Sequence, residues 1–279
     1  MNSILFAGGD ARTLAAISYM KNQGFHVISY AINARLPVDG SKASAVILPF
    51  PCLKNGRLNA PTLQSPPTVE EMIRETGIDP KSAFVLGGPM ADCPFARYTD
   101  LSQSEELKTR NAVTTAEGAL DALIRNTDVA VFGLPVMVIG YGAIGKRLSR
   151  ILQALGARVT VAARRREHRV CGEYAGHTVQ DVKNLSLQGI RAVFNTVPAP
   201  VITPEVLKTC DATIPFFELA SAPGGFDGAQ VEQEGHRVIP CPALPGKVAP
   251  ITAGEDLAKV LLSQLPTLQK KGSGTSVRT

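Results

Sequence analysis

One glycine-rich turn constrains the fold of this chain more than any other feature. Val136–Ile139 is a short apolar run, and Gly140, Gly142 and Gly145 follow it in the spacing G-x-G-x-x-G. The apolar positions after the turn recur at helical spacing, and a second strand-like run ends near Ala163. The glycine string alone is weak evidence, but this strand–turn–helix–strand order predicts a dinucleotide-binding unit.

Each position of this turn has a distinct physical role. Gly140 permits the tight turn, Gly142 lets the backbone approach a pyrophosphate, and Gly145 lets the helix pack closely on the strand. Ala143 and Ile144 open the helix, whose free N–H groups and positive dipole end attract phosphate. The alternative is a purely structural strand–helix–strand unit that binds no ligand.

The end of the second strand indicates which dinucleotide binds. In NAD-binding units an acid about twenty residues beyond the first glycine accepts hydrogen bonds from the ribose 2′-OH. Here Ala163 is followed by Arg164, Arg165 and Arg166, which can neutralise a 2′-phosphate. We therefore expect NADP in preference to NAD. The alternative is that one or two of these arginines only face solvent.

Two later loops are candidates for ligand contact. "NTVP" closes a further strand, so Asn195, Thr196, Val197 and Pro198 are expected beside the cofactor, because ligands lie outside the carboxyl ends of parallel strands. Lys247, in the Pro/Gly-rich stretch "CPALPGKVAPITAGE", is a candidate anion contact. For each loop, a turn without a ligand is the alternative.

Strands alternate with helices along both halves of the chain, which predicts parallel α/β architecture. We place an N-terminal domain at 1–117 and the NADP-binding domain at 118–252. A helix at 253–265 is expected to pack back on the first domain, and the polar, Gly/Ser-rich tail 266–279 is expected to be disordered. Pro51–Pro67 is rich in Pro, Asn and Gly and is predicted to be a loop.

Composition limits the class of function. Of the 279 residues, 44% are hydrophobic and 19% charged, which is a globular balance, and no apolar run approaches the ~18 residues that span a membrane. The five cysteines lie far apart and without zinc-site spacing, so we expect reduced thiols in the cytoplasm and no metal site. The net charge of +5 suits small anionic ligands, and tryptophan is absent, so we expect neither nucleic acid nor membrane as a partner.

Six stretches, in this order and spacing, together resemble the family of dipicolinate synthase A subunits. They are "GGDAR" (Gly8–Arg12), "NAVTTAEGA" (Asn111–Ala119), "GYGAIG" (Gly140–Gly145), "NTVP" (Asn195–Pro198), "LASAPGGFD" (Leu219–Asp227) and "ALPGKVAPITAGE" (Ala243–Glu255). The resemblance runs to about Leu265. Many dehydrogenases share the glycine turn, whereas the other five stretches are far more restrictive.

This resemblance implies two Rossmann-like, doubly wound parallel-sheet domains with a cleft between them, the N-terminal domain holding the substrate. It also implies a cytoplasmic enzyme that works in sporulation with a second, flavoprotein-like protein, the dipicolinate synthase B subunit. The implied reaction is oxidation of dihydrodipicolinate to dipicolinate, which is pyridine-2,6-dicarboxylate. We further expect a homo-oligomer.

The implied chemistry suggests roles for several side chains. A small dianionic substrate needs cations, for which Arg12 and Lys247 are the first candidates, followed by Arg97 and Arg110. Removing a hydride leaves a proton to be accepted, and Glu117 is the candidate base.

Glu117 also has a structural alternative. Thr114 or Thr115 is expected to cap a helix over "TTAEGALDALIRNTD", with Glu117 completing a capping box.

Two other interpretations of the sequence compete with this one. A 2-hydroxyacid-type or shikimate-type dehydrogenase shares the two-domain plan, but its catalysis needs a His–acid or a Lys–Asp pair, and no His–acid pair stands late in the chain. The second competitor is a non-catalytic NADP-sensing protein that supports the B subunit.

Overall fold

The computed structural model describes residues 3–265, whose contacts form two compact units. Among the described residues, unit 1 comprises 3–111 and 249–265, and unit 2 comprises Ala112–Val248. The domain boundaries expected from the sequence, 1–117 and 118–252, concern parts of the chain that fold independently, and they remain a prediction. The expected disorder of 266–279 lies outside the described residues. No helix between residues 3 and 265 has both the length and the apolar character of a membrane span.

Within residues 3–265, unit 1 contains a five-stranded sheet and a short hairpin. Its strands are β1 (Ser3–Ala7), β2 (His26–Tyr30), β3 (Ala43–Ile47), β4 (Leu53–Lys54), β5 (Arg57–Leu58), β6 (Phe84–Gly87) and β7 (Arg97–Asp100). The sheet is parallel throughout, in the order β2-β1-β3-β6-β7. Counted along its own strands this is 2-1-3-4-5, a common doubly wound order. The antiparallel hairpin β4–β5 lies inside Pro51–Pro67, where the sequence predicts a loop.

Residues 112–248, all of them described, form a six-stranded parallel sheet. Its strands are β8 (Pro135–Ile139), β9 (Arg158–Ala163), β10 (Thr178–Asp181), β11 (Ala192–Asn195), β12 (Pro215–Glu218) and β13 (Arg237–Pro240). They lie in the order β10-β9-β8-β11-β12-β13. Counted from β8, this is 3-2-1-4-5-6, the order typical of dinucleotide-binding domains. Both sheets therefore confirm the predicted α/β class with two Rossmann-like units.

Helices connect these strands. They are α1 (Ala11–Asn22), α2 (Val69–Thr76), α3 (Glu105–Asn126), α4 (Ala143–Ala154), α5 (Arg166–Tyr174), α6 (Pro204–Leu207), α7 (Gly228–Gln233), α8 (Leu244–Val248) and α9 (Pro250–Gln264). The apolar spacing of α4 is realised as a buried face, because Leu148 and Leu152 are fully buried in one core with Val138 of β8 and Val161 of β9.

Helix α3 begins earlier than the sequence indicates. The expected cap at Thr114 or Thr115 is wrong, because α3 starts at Glu105 and both threonines are buried within it. Glu117 also lies inside α3 and is exposed, so it completes no capping box. Threonine favours helix starts because its hydroxyl caps free N–H groups, but here tertiary burial outweighs that local preference.

Helix α9 packs on α1 through small residues. Its buried face includes Ala253, Gly254, Leu257 and Ala258. A Cβ on Gly254 would overlap the carbonyl oxygen of Arg12 and would lie 2.5 Å from the Ala15 Cβ. The two helix backbones therefore approach so closely that only glycine fits at this position.

We expect Gly254→Ala to lower the free energy of unfolding by about 1–3 kcal/mol, the range for overpacking a filled interface. Urea denaturation measures this change. Gly228→Ala in α7 is the matched control, because its Cβ would meet no atom closer than 3.8 Å. Equal effects of the two substitutions would contradict the close packing of α9 on α1.

Candidate dinucleotide site

The predicted glycine turn lies where the strand order of unit 2 reverses. β8 pairs with β9 on one side and with β11 on the other. The connections after β8 and β9 run through α4 and α5, whereas β11 continues the sheet in the opposite direction. The carboxyl ends of β8 and β11 therefore flank a crevice of the kind in which open α/β sheets bind ligands.

The geometry of the turn explains each glycine separately. Gly140 has a φ of +97°, which favours glycine, and its Cβ would overlap the Thr196 hydroxyl. A Cβ on Gly145 would overlap the Gly140 carbonyl oxygen, so the first turn of α4 lies directly against the loop. A Cβ on Gly142 would meet no atom within 4 Å. Glycine at 142 is therefore not required by packing, and its open face leaves room for a group such as pyrophosphate.

The helix after the turn begins without a side-chain cap. Gly142 is the N-cap of α4, and no side chain bonds the first N–H groups of the helix. Ala143 is exposed and Ile144 is half-buried, so neither side chain covers the helix start. The free N–H groups and the helix dipole can therefore both act on a bound anion.

The "NTVP" loop is held against the glycine turn by its own polar groups. The Thr196 hydroxyl and backbone N–H both donate to the Ile139 carbonyl oxygen, at 2.8 and 2.9 Å. Val197 is half-buried, and Pro198 is exposed at the tip of the loop. Thr196 thus positions the loop, Val197 packs partly on the core, and Pro198 is left exposed for a ligand to contact.

Asn195 is fully buried and braces the neighbouring strand. Its amide donates to the Glu218 carboxylate at 2.7 Å and to the Val197 carbonyl at 2.9 Å. Glu218 also accepts the N–H groups of Ala220 and Gly225, at 2.9 and 2.8 Å. The sequence analysis did not predict this network. Its signal in the sequence is Glu218, an acid that stands between the apolar strand β12 and the Gly-Gly turn at 224–225. Asn195 therefore orients the loop from beneath.

The end of β9 carries a further arginine that sequence reasoning missed. Arg169 donates to the carbonyl oxygens of Ala163 and Arg164, at 2.8 and 2.9 Å. It also forms a 3.0 Å ion pair with Asp181, the residue paired with Ala163 in the adjacent strand. The acid nearest to Ala163 in the sheet is therefore already neutralised by Arg169.

The residues after Ala163 form a cationic edge. Arg164, Arg165 and Arg166 are exposed, and none forms an ion pair with another residue between 3 and 265. Burial lowers the pKa of His168, and the positive charges of Lys146 and Arg165 lower it further. This edge of unit 2 therefore favours a negatively charged ligand group.

The glycine turn of unit 1 differs in its hydrogen bonding. The N–H of Gly8 donates to the Tyr30 carbonyl at 2.8 Å, and that of Gly9 donates to the Asn59 carbonyl at 2.7 Å. These two N–H groups are therefore already used within unit 1 and are not free for a phosphate.

Arg12 lies beside this turn and is largely engaged. Its guanidinium pairs with Asp10 at 2.7 Å and donates to the Phe50 carbonyl at 2.7 Å. Nη1 makes no hydrogen bond to another described residue and is the donor left for a ligand. A small cavity of unit 1 is lined by Arg12, Thr13 and Asn59 among others.

The other site residues predicted from the sequence are far apart along the chain, and they differ in exposure and in ion pairing. Glu117 and Lys247 are both exposed in unit 2, on α3 and α8. In unit 1, Arg110 pairs with Glu106 at 2.9 Å and with Asp256 at 2.8 Å, which leaves little of its charge for a substrate.

Arg97 is the fourth of the predicted cations. Its guanidinium lies over the Phe84 ring, and the guanidinium carbon Cζ is 5.5 Å from the ring centroid. This contact occupies one face of the guanidinium and is typical of a structural role on a sheet edge.

We expect Gly142→Ala to weaken dinucleotide binding at least tenfold while leaving the free energy of unfolding nearly unchanged, because the added methyl fills space that only a ligand would use. Gly145→Ala should instead lower the free energy of unfolding by about 1–3 kcal/mol, since its methyl overlaps backbone. Calorimetric titration and urea denaturation separate the two effects. Equal loss of stability in both variants would contradict the open face at Gly142.

Comparison with known families assigns the cofactor class of unit 2. Residues 111–213 match the family model of the S-adenosyl-L-homocysteine hydrolase NAD binding domain. The matched segment contains the glycine turn, the end of β9 and the "NTVP" loop. Over this segment, unit 2 thus resembles a nicotinamide-dinucleotide-binding domain.

Individual relatives are more specific. Over 177 residues the chain is 34% identical to the dipicolinate synthase A subunit of Bacillus subtilis, an alignment covering 62% of this chain and 59% of that protein. The crystal structure of the dipicolinate synthase A subunit from Bacillus halodurans superposes with a TM-score of 0.86 at 28% identity, covering 95% of this chain and 97% of that one. A D-lactate dehydrogenase from Sporolactobacillus shares the fold, with a TM-score of 0.61 at 16% identity over 100% of this chain and 98% of that one. The chain is therefore similar in sequence and fold to dipicolinate synthase A subunits.

Proposed function

We propose that this chain oxidises dihydrodipicolinate to dipicolinate with NADP, acting together with the dipicolinate synthase B subunit. The observation that carries the proposal is the open backbone face at Gly142, on a nicotinamide-dinucleotide-binding unit of a chain whose relatives are dipicolinate synthase A subunits. The same proposal includes a homo-oligomer in the cytoplasm of a sporulating cell.

The reaction removes two hydrogens from the substrate ring. A bound dinucleotide would supply the hydride acceptor for one of them, and the second would leave as a proton to a base. Because the product ring is aromatic, the products are favoured, and the protein's task is to position the reactants and exclude water.

Glu117 is our candidate for the proton acceptor. Its carboxylate is exposed on α3 and forms no ion pair with another described residue, so its lone pairs are available. Because α3 begins at Glu105, Glu117 cannot complete a capping box. No hydrogen bond or ion pair to another described residue gives Glu117 a structural role in the helix.

Two cations are candidates for the substrate carboxylates. Arg12 offers Nη1 beside the small cavity of unit 1, and its remaining donors are held by Asp10 and Phe50. A guanidinium fixed in this way loses little rotamer freedom on binding a carboxylate. Lys247 is exposed on α8 and free of ion pairs within residues 3–265, so it offers an uncompensated charge to a carboxylate.

The choice of NADP rests on charge at the end of β9. Ala163 stands where an acid would repel a 2′-phosphate, and Asp181 beside it is paired with Arg169. Arg164 and Arg165 are exposed at the same edge and unpaired among the described residues. A 2′-phosphate placed there would gain charge-assisted hydrogen bonds without meeting a free carboxylate.

We expect Arg165→Ala to raise the Kd of NADP about tenfold or more, the value of one hydrogen bond to a charged group, while the Kd of NAD changes little. Ala163→Asp should act in the opposite sense and favour NAD. Calorimetric titration of both dinucleotides measures the preference. Arg191→Ala is the control, because this exposed arginine precedes β11 at the opposite end of the sheet. Tighter binding of NAD than of NADP by the unaltered chain would refute the assignment.

The reaction itself is tested with the purified chain, dihydrodipicolinate and NADP⁺. We expect the near-ultraviolet absorbance of reduced nicotinamide to appear, either with this chain alone or after the B subunit is added. Glu117→Gln should lower kcat about a hundredfold, the typical contribution of a general base, with the free energy of unfolding unchanged. Asp121→Asn, one turn along α3, is the matched control and should keep full activity. If NADP⁺ is reduced neither with nor without the B subunit, the proposal is wrong.

A further inference from the structure

A groove on unit 2 runs between α4 and α5, and Gly142 is not among its lining residues. Lys146 and Arg150 line it from α4, and Cys171 lines it from α5. Tyr141 and His177 also line it and are both almost fully buried, which makes them its floor. The groove encloses about 470 Å³, within the ~300–1,000 Å³ range of pockets that hold small molecules.

The charges in this groove are uncompensated. No carboxylate lines it, and neither Lys146 nor Arg150 forms an ion pair with another residue between 3 and 265. The Lys146 ammonium lies 5.8 Å from the centroid of the Tyr141 ring, which holds it over the groove floor. Two cations on one helix face without a counter-charge create a site that attracts an anion.

His177 supplies a second, independent indication. It is only 7% exposed, and its Nδ1 is buried without a hydrogen-bond partner. Burial lowers the pKa of His177, which favours the neutral ring. An anion in the groove would satisfy Nδ1 when the neutral ring carries its proton on that nitrogen. The ring then presents a donor, and its edge lies against Tyr141 with the centroids 6.0 Å apart.

Lys146, Arg150, Tyr141 and His177 each offer a donor to the groove, whereas the amide nitrogen of Gln153, which also lines it, already donates to the Ala175 carbonyl at 3.2 Å. The Tyr141 hydroxyl has no partner among the described residues, and burial raises its pKa, so it remains an O–H donor. Structural cores satisfy buried polar groups in nearly all cases, and unsatisfied donors around an open groove are instead typical of a binding site.

We infer that this groove is a second anion site, which binds a small phosphorylated or polycarboxylated metabolite between α4 and α5. Lys146 and Arg150 would neutralise the anionic group, and Tyr141 and His177 would donate hydrogen bonds to it. The inference does not depend on the proposed reaction. Because α4 also begins at the glycine turn, occupancy of the groove would be linked to the helix that faces the dinucleotide.

Cys171 provides a direct readout of this site. It is the one exposed cysteine of the five, and it lines the groove. An occupied groove should slow its alkylation by the neutral reagent iodoacetamide, measured by mass spectrometry of the full chain. Cys93, in unit 1, serves as the internal reference.

The experiment titrates the protein with inorganic phosphate in one arm and with tricarballylate in the other, at constant ionic strength. We expect Cys171 to be protected and the reference cysteine to be unaffected. Arg150→Gln should weaken the protection about fivefold, equivalent to one exposed ion pair. Arg147→Gln, with the same charge on the same helix but outside the groove, should behave like the unaltered chain.

The two arms and the two variants decide the outcome. Protection by only one anion identifies the chemistry of the ligand and supports the site. Absence of protection in both arms, or an equal effect of Arg147→Gln and Arg150→Gln, would overturn it. Since neither dinucleotide nor substrate is present, failure of the proposed oxidation would leave these results unchanged.

Discussion

The backbone around Gly140 is the constraint on which the rest of unit 2 depends. Its N–H donates to the Ala162 carbonyl at 2.8 Å, and the carbonyl before it, that of Ile139, accepts both bonds from Thr196. Its own carbonyl oxygen lies against Gly145. The ends of β8, β9 and β11 and the start of α4 are thus fixed to one another through a single residue. A side chain at 140 would separate all four, and with them the groups that face a dinucleotide.

Charge is distributed around this backbone arrangement in an ordered way. The acids near the sheet edge are paired internally, Asp181 with Arg169 and Glu218 with Asn195 and two backbone N–H groups. Cations on α4 and after β9 are left facing solvent. A paired carboxylate contributes little electric field beyond its partner. This edge of the unit 2 sheet is therefore positive, although unit 2 contains both acidic and basic residues.

The sequence predicted what is local and periodic, and it missed what depends on distant partners. The glycine turn, the buried face of α4 and the parallel sheets follow from short-range patterns, and each was found. The start of α3 was misplaced because Thr114 and Thr115 have the chemistry of caps, and their burial depends on residues remote in the sequence. The partners of Arg12 and Asn195 could not be predicted either, since Arg12 bonds a carbonyl 38 positions away and Asn195 bonds an acid 23 positions away.

The bond from Gly9 to the Asn59 carbonyl distinguishes the glycine turn of unit 1 from that of unit 2. Unit 1 has the strand order of a nucleotide binder and a glycine turn after its first strand, yet a stretch of its own polypeptide occupies the place where a phosphate would sit. For the chain between residues 3 and 265, the turn of unit 1 is therefore closed to a phosphate by its own backbone. Seating a phosphate there would require displacing the segment that follows β5.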